Sequence, residues 1–289
     1  MTYTLSNSGF TYQPHEWKRP SGEKITYFDE GTDQEGTPLL FIHGLGNNAL
    51  VWFKMIRELS VNHRCIAVDL PAHGFSTNKQ NLSITYLAES VKELADHLGL
   101  EKVILVGHSM GGQISTKVAL DYPDRLSRLV LLAPAGFEVF SPKEKSWLKS
   151  IYATWLLKKL SKQRMMDQFK ENFFFFEEDA HFFLEDLQRL RDKPEIFQHY
   201  CESLSTCMGA MLDEPVFDDL TRLSLPTLVI YGENDRIIPN PVLHPEQNLA
   251  EVASSGTEQI PQATLKMIPE CGHMLQWEKA AEISQMIVG

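Results

Sequence analysis

Apolar positions along the chain follow two rhythms. Between Lys24 and Ala133, short β-branched runs alternate with longer amphipathic segments, the pattern of a parallel sheet whose strands are joined by crossover helices. The runs Ile25–Phe28, Leu39–Ile42, Cys65–Val68, Val103–Val106 and Leu129–Leu132 predict strands, the last four so continuously apolar that both of their faces should be buried. Helices over Ala49–Leu59, Ile84–Leu98 and Met110–Tyr122 fit between them. Ser83 is placed to cap the second of these and Gly99 to close it.

After Ala133-Pro-Ala-Gly136 the alternation stops. A helical, strongly aromatic stretch follows, with Trp147, Trp155, Phe173–Phe176, Phe182, Phe183 and Phe197, ending near Asp218-Asp219-Leu220. The first rhythm then resumes with Thr227–Tyr231 and Thr264–Ile268 as strands, a proline-rich loop at Pro239–Pro245 and a last helix from about Gln276. The expected organisation is an α/β core from residues 1–136 and 220–289, interrupted by a helical unit at 137–219. No internal repeat is present, which excludes a solenoid.

Composition narrows the possible partners. Lys and Arg number 27 against 38 Asp and Glu, a net charge of −11, which argues against nucleic acid, because phosphate backbones are bound by basic side chains. Cys65, Cys201, Cys207 and Cys271 show no C-x-x-C spacing and are too sparse for a disulfide framework or a zinc ribbon. The first residues lack a basic region followed by an apolar run, and no stretch of about 18 apolar residues occurs. A cytoplasmic protein is expected.

The strongest chemical signal is Gly107-His108-Ser109-Met110-Gly111-Gly112, which directly follows a predicted strand and opens a predicted helix. A turn this sharp needs neighbours without side chains, and it holds the Ser109 hydroxyl out at the end of the sheet. Serine is a weak nucleophile near neutral pH, so it needs an imidazole to take its proton and a carboxylate to orient that imidazole. Both types lie downstream, each just past a predicted strand: Asp235 in Tyr231-Gly-Glu-Asn-Asp-Arg-Ile-Ile-Pro239, and His273 in Pro269-Glu-Cys-Gly-His-Met274.

With this order of Ser, Asp and His, the chain resembles a serine-nucleophile member of the α/β-hydrolase family carrying a helical cap, and the resemblance covers nearly its whole length. It includes His43-Gly44-Leu45-Gly46 and Asp69-Leu-Pro-Ala-His-Gly-Phe-Ser76, each after a predicted strand. The resemblance implies Ser109 as nucleophile, Asp235 as acid and His273 as base, with the backbone N–H groups of Leu45 and Met110 as the oxyanion hole. Glu233 is the competing acid, but Asp235 occupies the position that the G-x-x-D pattern marks. The Asp69 motif reads as a structural turn, and His43, His73 and His108 as rings that pack or line the pocket. No metal-ligand spacing such as H-E-x-x-H occurs, and Gly44-Leu-Gly46 is too short for a dinucleotide fingerprint, so no metal and no cofactor is expected. Relatives resembling haloalkane dehalogenases or epoxide hydrolases carry Asp at the elbow to attack saturated carbon. A serine there implies attack on an acyl carbon.

The resemblance therefore implies a carboxylic ester hydrolase, an esterase or lipase acting on small to medium apolar acyl groups, with a small-molecule ester as its partner. Monoacylglycerol lipases are similar at Ala133-Pro-Ala-Gly-Phe137 and Cys271-Gly-His273. His108, Phe137 and Trp155 are the expected substrate contacts. The segment Lys143–Arg164 places Trp147, Leu148, Ile151, Tyr152, Trp155, Leu156 and Leu160 at helical spacing among seven basic residues and one acidic one. That pattern belongs either to a cap helix with solvated lysines or to a helix that docks weakly on an anionic lipid interface. Two other functions remain open. Gly272-His-Met-Leu-Gln-Trp277-Glu278 is similar to the run around the base in carbon–carbon bond hydrolases of ring-cleavage products. A receptor retaining a hydrolase pocket, as in some plant hormone receptors, would carry the same residues.

Overall fold

A computed structural model describes residues 3–4, 11–77, 79 and 81–289. Its centre is an eight-stranded sheet: β1 Pro14–Lys18, β2 Lys24–Glu30, β3 Leu39–Ile42, β4 Cys65–Asp69, β5 Val103–His108, β6 Leu126–Leu132, β7 Thr227–Gly232 and β8 Ala263–Ile268. The spatial order is β1-β2-β4-β3-β5-β6-β7-β8, antiparallel at β1/β2 and β2/β4 and parallel from β4 onward. Of the four runs expected to be buried on both faces, Leu39–Ile42, Cys65–Val68 and Leu129–Leu132 are buried throughout and Val103–Val106 at all but Ile104, and β7 is buried throughout as well.

The helices around the sheet are α1 Phe53–Leu59, preceded by a 3₁₀ turn at Ala49–Trp52, then α2 Ile84–His97, α3 Met110–Asp121, α9 Leu249–Glu258, α10 Leu275–Glu278 and α11 Ala280–Val288. Ser83 caps α2 by accepting a hydrogen bond from the Tyr86 N–H at 2.9 Å, and Gly99 closes it at φ +66°. The last helix, expected from about Gln276, is two helices, α10 and α11, and two further elements depart from the sequence expectation. Strand β1 was not foreseen because it is an edge strand with both faces partly exposed, so its alternation lacks an apolar side. Helix α9 follows the proline-rich loop and was hidden by its small residues, Ala-Glu-Val-Ala-Ser-Ser-Gly.

Between β6 and β7 the chain leaves the sheet and forms α4 Pro142–Ile151, α5 Thr154–Leu157, α6 Lys162–Lys170, α7 His181–Arg191 and α8 Pro194–Asp213. Ser141 and Glu144 close a capping box at the start of α4. This insertion has a small core of its own, formed by the buried Leu157, Met165, Phe197 and Cys201. It also joins the main core through Phe173, Ala180, Phe183, Cys207 and Ala210. Among the described residues no helix is long and apolar enough to cross a membrane.

Candidate active site

The parallel strands β5, β7 and β8 all end at one edge of the sheet, which is where open α/β sheets bind ligands. Ser109 sits one residue beyond β5 with φ +53° and ψ −119°, a backbone conformation that side chains other than glycine rarely adopt. Hydrogen bonds hold it there: Ser109 N–H donates to the Leu132 carbonyl at 3.0 Å, and the Ser109 carbonyl accepts from Gly112 and Ala135 at 2.8 and 3.0 Å. The elbow glycines answer to sterics. A Cβ on Gly107 would lie 2.3 Å from the Gly111 carbonyl oxygen, and one on Gly111 would lie 2.1 Å from that of Ile42.

Asp235 follows β7 and His273 follows β8. His273 Nδ1 lies 2.6 Å from Asp235 Oδ2, with the Asp235 side chain 0% and the His273 side chain 4% exposed. The other Asp235 oxygen accepts from the backbone N–H groups of Ile237 at 2.7 Å and Ile238 at 3.1 Å. The carboxylate is thus fully occupied, and it fixes the proton of His273 on Nδ1, leaving Nε2 as a free base. Glu233, the competing acid, is exposed, whereas Asp235 is the carboxylate bonded to the imidazole.

The loop after β3 meets Ser109. A Cβ on Gly44 would lie 3.1 Å from Ser109 Cβ and 3.0 Å from His108 Nδ1. His43 sets the direction of the next peptide. The Leu70 amide donates to His43 Nε2 at 3.2 Å, so the ring proton is on Nδ1, which donates to the Gly44 carbonyl at 2.9 Å. Asn47 N–H reaches the same carbonyl at 3.3 Å. In a trans peptide N–H and C=O point oppositely, so pinning the Gly44 oxygen turns the Leu45 N–H the other way. Met110 is buried at the first position of α3, where a helix leaves its N–H groups without an internal partner.

Three further histidines surround these groups, all of them neutral. Burial pushes His43 and His108 well below the usual imidazole range, with a neighbouring histidine acting in the same direction, and burial brings His73 down to about 4. His108 is not a free pocket wall. Its Nε2 lies 2.8 Å from the His273 carbonyl, to which it can only donate, and its Nδ1 is buried without a partner beside Gly44. Phe137 is packed under the sheet edge, its ring 6.4 Å from that of Tyr231 and in the place a Gly256 Cβ would occupy. Trp155 is 62% exposed on α5, with Lys159 Nζ 4.8 Å from its ring centroid. The structure therefore brings Ser109, Asp235, His273 and the Leu45 and Met110 loops to one edge, keeps His108 beside them, and places Phe137 and Trp155 in other surroundings. The Asp69 motif is a turn: its carboxylate accepts from Ala49 and Phe75 N–H at 2.8 and 2.9 Å, and burial pushes its pKa up to about 6.

The insertion touches the loops after β3 and β4. From α8, Ser203 Oγ donates to His73 Nε2 at 3.3 Å, and Tyr200 and Leu204 lie where a Gly46 side chain would be. Sequence reasoning missed the polar contacts around His273 from Glu278, although the run Trp277-Glu278 that carries them was visible.

Comparison with known proteins fits this geometry. The profile of the alpha/beta hydrolase fold matches residues 37–280. The chain belongs to the α/β-hydrolase family. It is 28% identical over 282 residues to a 2-hydroxy-6-oxononadienedioate/2-hydroxy-6-oxononatrienedioate hydrolase of Paraburkholderia phymatum, covering 92% of this chain and 90% of that one. It is 30% identical over 276 residues to the dihydrolipoyllysine-residue acetyltransferase component of an acetoin cleaving system of Pseudomonas putida, covering 92% of this chain and 66% of that longer protein. Among solved structures, a probable hydrolytic enzyme from Pseudomonas aeruginosa superposes with a TM-score of 0.82 at 23% identity, covering 96% of this chain and 93% of that one. A thermophilic esterase from Thermogutta terrifontis superposes with a TM-score of 0.75 at 25% identity, covering 96% and 97%. As a member of this family the chain is a hydrolase.

Proposed function

We propose that this α/β-hydrolase cleaves carboxylic esters of small to medium uncharged acyl groups through an acyl-enzyme on Ser109, with monoacylglycerol-type esters within its range. The observation that carries the reading is the 2.6 Å bond between His273 Nδ1 and Asp235 Oδ2 at the strand edge that also presents Ser109 in its strained turn. Ser109 Oγ attacks the acyl carbon as its proton passes to His273 Nε2. The Leu45 and Met110 N–H groups hold the developing oxyanion. Collapse expels the alcohol, which takes the proton from His273, and water activated by the same imidazole then releases the acid.

The surroundings favour an uncharged substrate. The imidazoles packed around the site are kept neutral by burial and supply no countercharge for a carboxylate. A second reading, carbon–carbon bond hydrolysis, is supported by relatives that bear the names of such hydrolases at 28% identity. Measuring kcat/KM for a series of chromogenic esters beside a 2-hydroxy-6-oxo-dienoate separates the two. The ester reading expects the short and medium esters to exceed the dienoate by at least tenfold, and it fails if the dienoate is preferred.

A further inference from the structure

The backbone beside His273 is bonded to the sheet side, where Asn234 N–H donates to the Cys271 carbonyl at 2.9 Å, and also to the insertion, directly at one position and through Glu278 of α10 at another. On one side, Gly272 N–H donates to Glu278 Oε2 at 2.9 Å. The other oxygen of the same carboxylate accepts from Phe174 and Phe175 N–H at 2.9 and 3.0 Å. On the other side, Met274 N–H donates directly to the Asn172 carbonyl at 3.0 Å. The approach is so close that a Gly272 Cβ would lie 2.5 Å from Phe174 N. Around this junction Trp277 donates from Nε1 to Asp179 of the insertion at 3.0 Å and packs its ring 4.8 Å from that of Phe183.

We infer that Glu278 is a positioning residue that makes the orientation of His273 depend on the docking of segment 172–175, so that movement of the insertion is transmitted to the base. This rests on the role of His273 in the proposed function. The carboxylate joins two pieces of backbone, the loop after β8, which presents the imidazole, and the segment after α6 in the insertion, beside the direct bond from Met274 to Asn172 and the buried Phe173 ring. Both of its oxygens face N–H donors. A carboxylate satisfies all three amides, whereas a glutamine has one oxygen and must turn its NH₂ toward one set of donors. When the segment lifts, Glu278 loses the Phe174 and Phe175 amides that hold its carboxylate against Gly272 and Met274 loses the Asn172 carbonyl, so the ring is left to the His108 bond to the His273 carbonyl and to an Asp235 bond whose geometry the loop no longer fixes. Phe175, held here by its backbone while its side chain is 68% exposed, makes the segment accessible to whatever approaches the insertion from outside.

The test compares native protein with Glu278→Gln and Glu278→Ala, using Glu185→Gln on the exposed face of α7 as a control. Glu278→Gln keeps size and shape, so it remains informative if the alanine variant fails to fold. Two signals are read: kcat and KM on the best ester, and the low-field proton NMR resonance of His273 Nδ1–H bonded to Asp235. Because small displacements of a reacting group cost up to about a hundredfold in rate, kcat should fall by roughly tenfold or more in both variants while KM changes by less than about twofold. The Nδ1–H resonance should broaden or vanish, and the control should match native protein. An unchanged resonance in both variants overturns the inference, even if the melting temperature falls. The resonance is read without turnover, so an inactive native protein refutes the ester reading while the positioning claim is still judged.

Discussion

The sheet and the insertion hold the candidate site by different physics. In the sheet, position is set by backbone meeting backbone: Gly107, Gly111 and Gly232 admit carbonyl oxygens where side chains would stand, within 2.1–2.3 Å of the missing Cβ. The insertion is held by a small core of its own, by Phe173, Phe183 and Cys207 buried in the main core, and by polar clasps to the loops below, at Ser203, Asn172 and the Phe174 and Phe175 amides. Helices α4 and α5 each bury a single side chain, Leu148 and Leu157. One region sets the site by close backbone contact, and the other by side-chain packing together with hydrogen bonds to the loops.

The comparison breaks first at the rigid side. Asp235→Asn should lower kcat by about 10⁴-fold, because the amide oxygen will stay with the Ile237 and Ile238 N–H donors and turn its NH₂ toward His273, moving the ring proton to Nε2. Steady-state kinetics with unchanged circular dichroism would check this. Gly111→Ala should destabilise the fold by about 3 kcal/mol, since the new methyl overlaps the Ile42 carbonyl and two backbone segments must separate. Gly209 lies in α8, where an added Cβ meets nothing within 4 Å. Gly209→Ala should therefore stabilise by about 0.5–1 kcal/mol through helix propensity. Urea unfolding of the two alanine variants measures the contrast directly.

Acid should act on the rigid side as well. His43, His73 and His108 have folded-state pKa values below the ordinary imidazole value of 6.5, so each contributes stability that is present above pH 6.5 and lost as pH falls below it; for His73 the loss extends to about pH 4. Asp69 works in the opposite direction. Its carboxyl is raised from 3.8 to about 6, so the folded state gains relative stability as pH falls through that window. Burial raises the carboxyls of Glu30, Glu138, Asp186 and Glu278 as well, so the imidazoles dominate at the top of the range, and the melting temperature should be flat above about pH 7 and fall between about pH 6.5 and 6. A rise over that interval would mean that these imidazoles are not held neutral.

The smallest effect is expected at the outer face of the insertion. Trp155→Ala should leave stability within about 0.5 kcal/mol of native protein, because the ring is mostly in water. The variant also sharpens the reading of the basic helices. If they dock on lipid, native protein cosediments with phosphatidylglycerol vesicles and the variant does so less; if they are a solvated face, neither protein binds.

Much of the sheet was legible because buried parallel strands are written as unbroken apolar runs: Leu39–Ile42 is a strand with the bounds its sequence suggests. The neighbourhood of Ser109, Asp235 and His273 was legible because each sits in a short motif just past a predicted strand. Long-range polar contacts were not legible. Nothing local in Gln276-Trp277-Glu278 says that the carboxylate will meet amides about a hundred residues earlier, and nothing in Gly-His-Ser says that His108 will spend its donor on the His273 carbonyl. Both depend on how loops from different strands converge, which apolar periodicity does not encode. Phe137, expected as a substrate contact, has its ring in the space beside Gly256, a packing that its local sequence does not announce.

The most direct test of the central claim is steady-state turnover of a chromogenic ester series of increasing acyl length by native protein and by Ser109→Ala. The account predicts multiple turnovers with an optimum at short or medium chains, and a loss of about 10⁴-fold or more in kcat in the variant at unchanged melting temperature. Turnover in the variant equal to native, or none by the native protein on any ester, would contradict it.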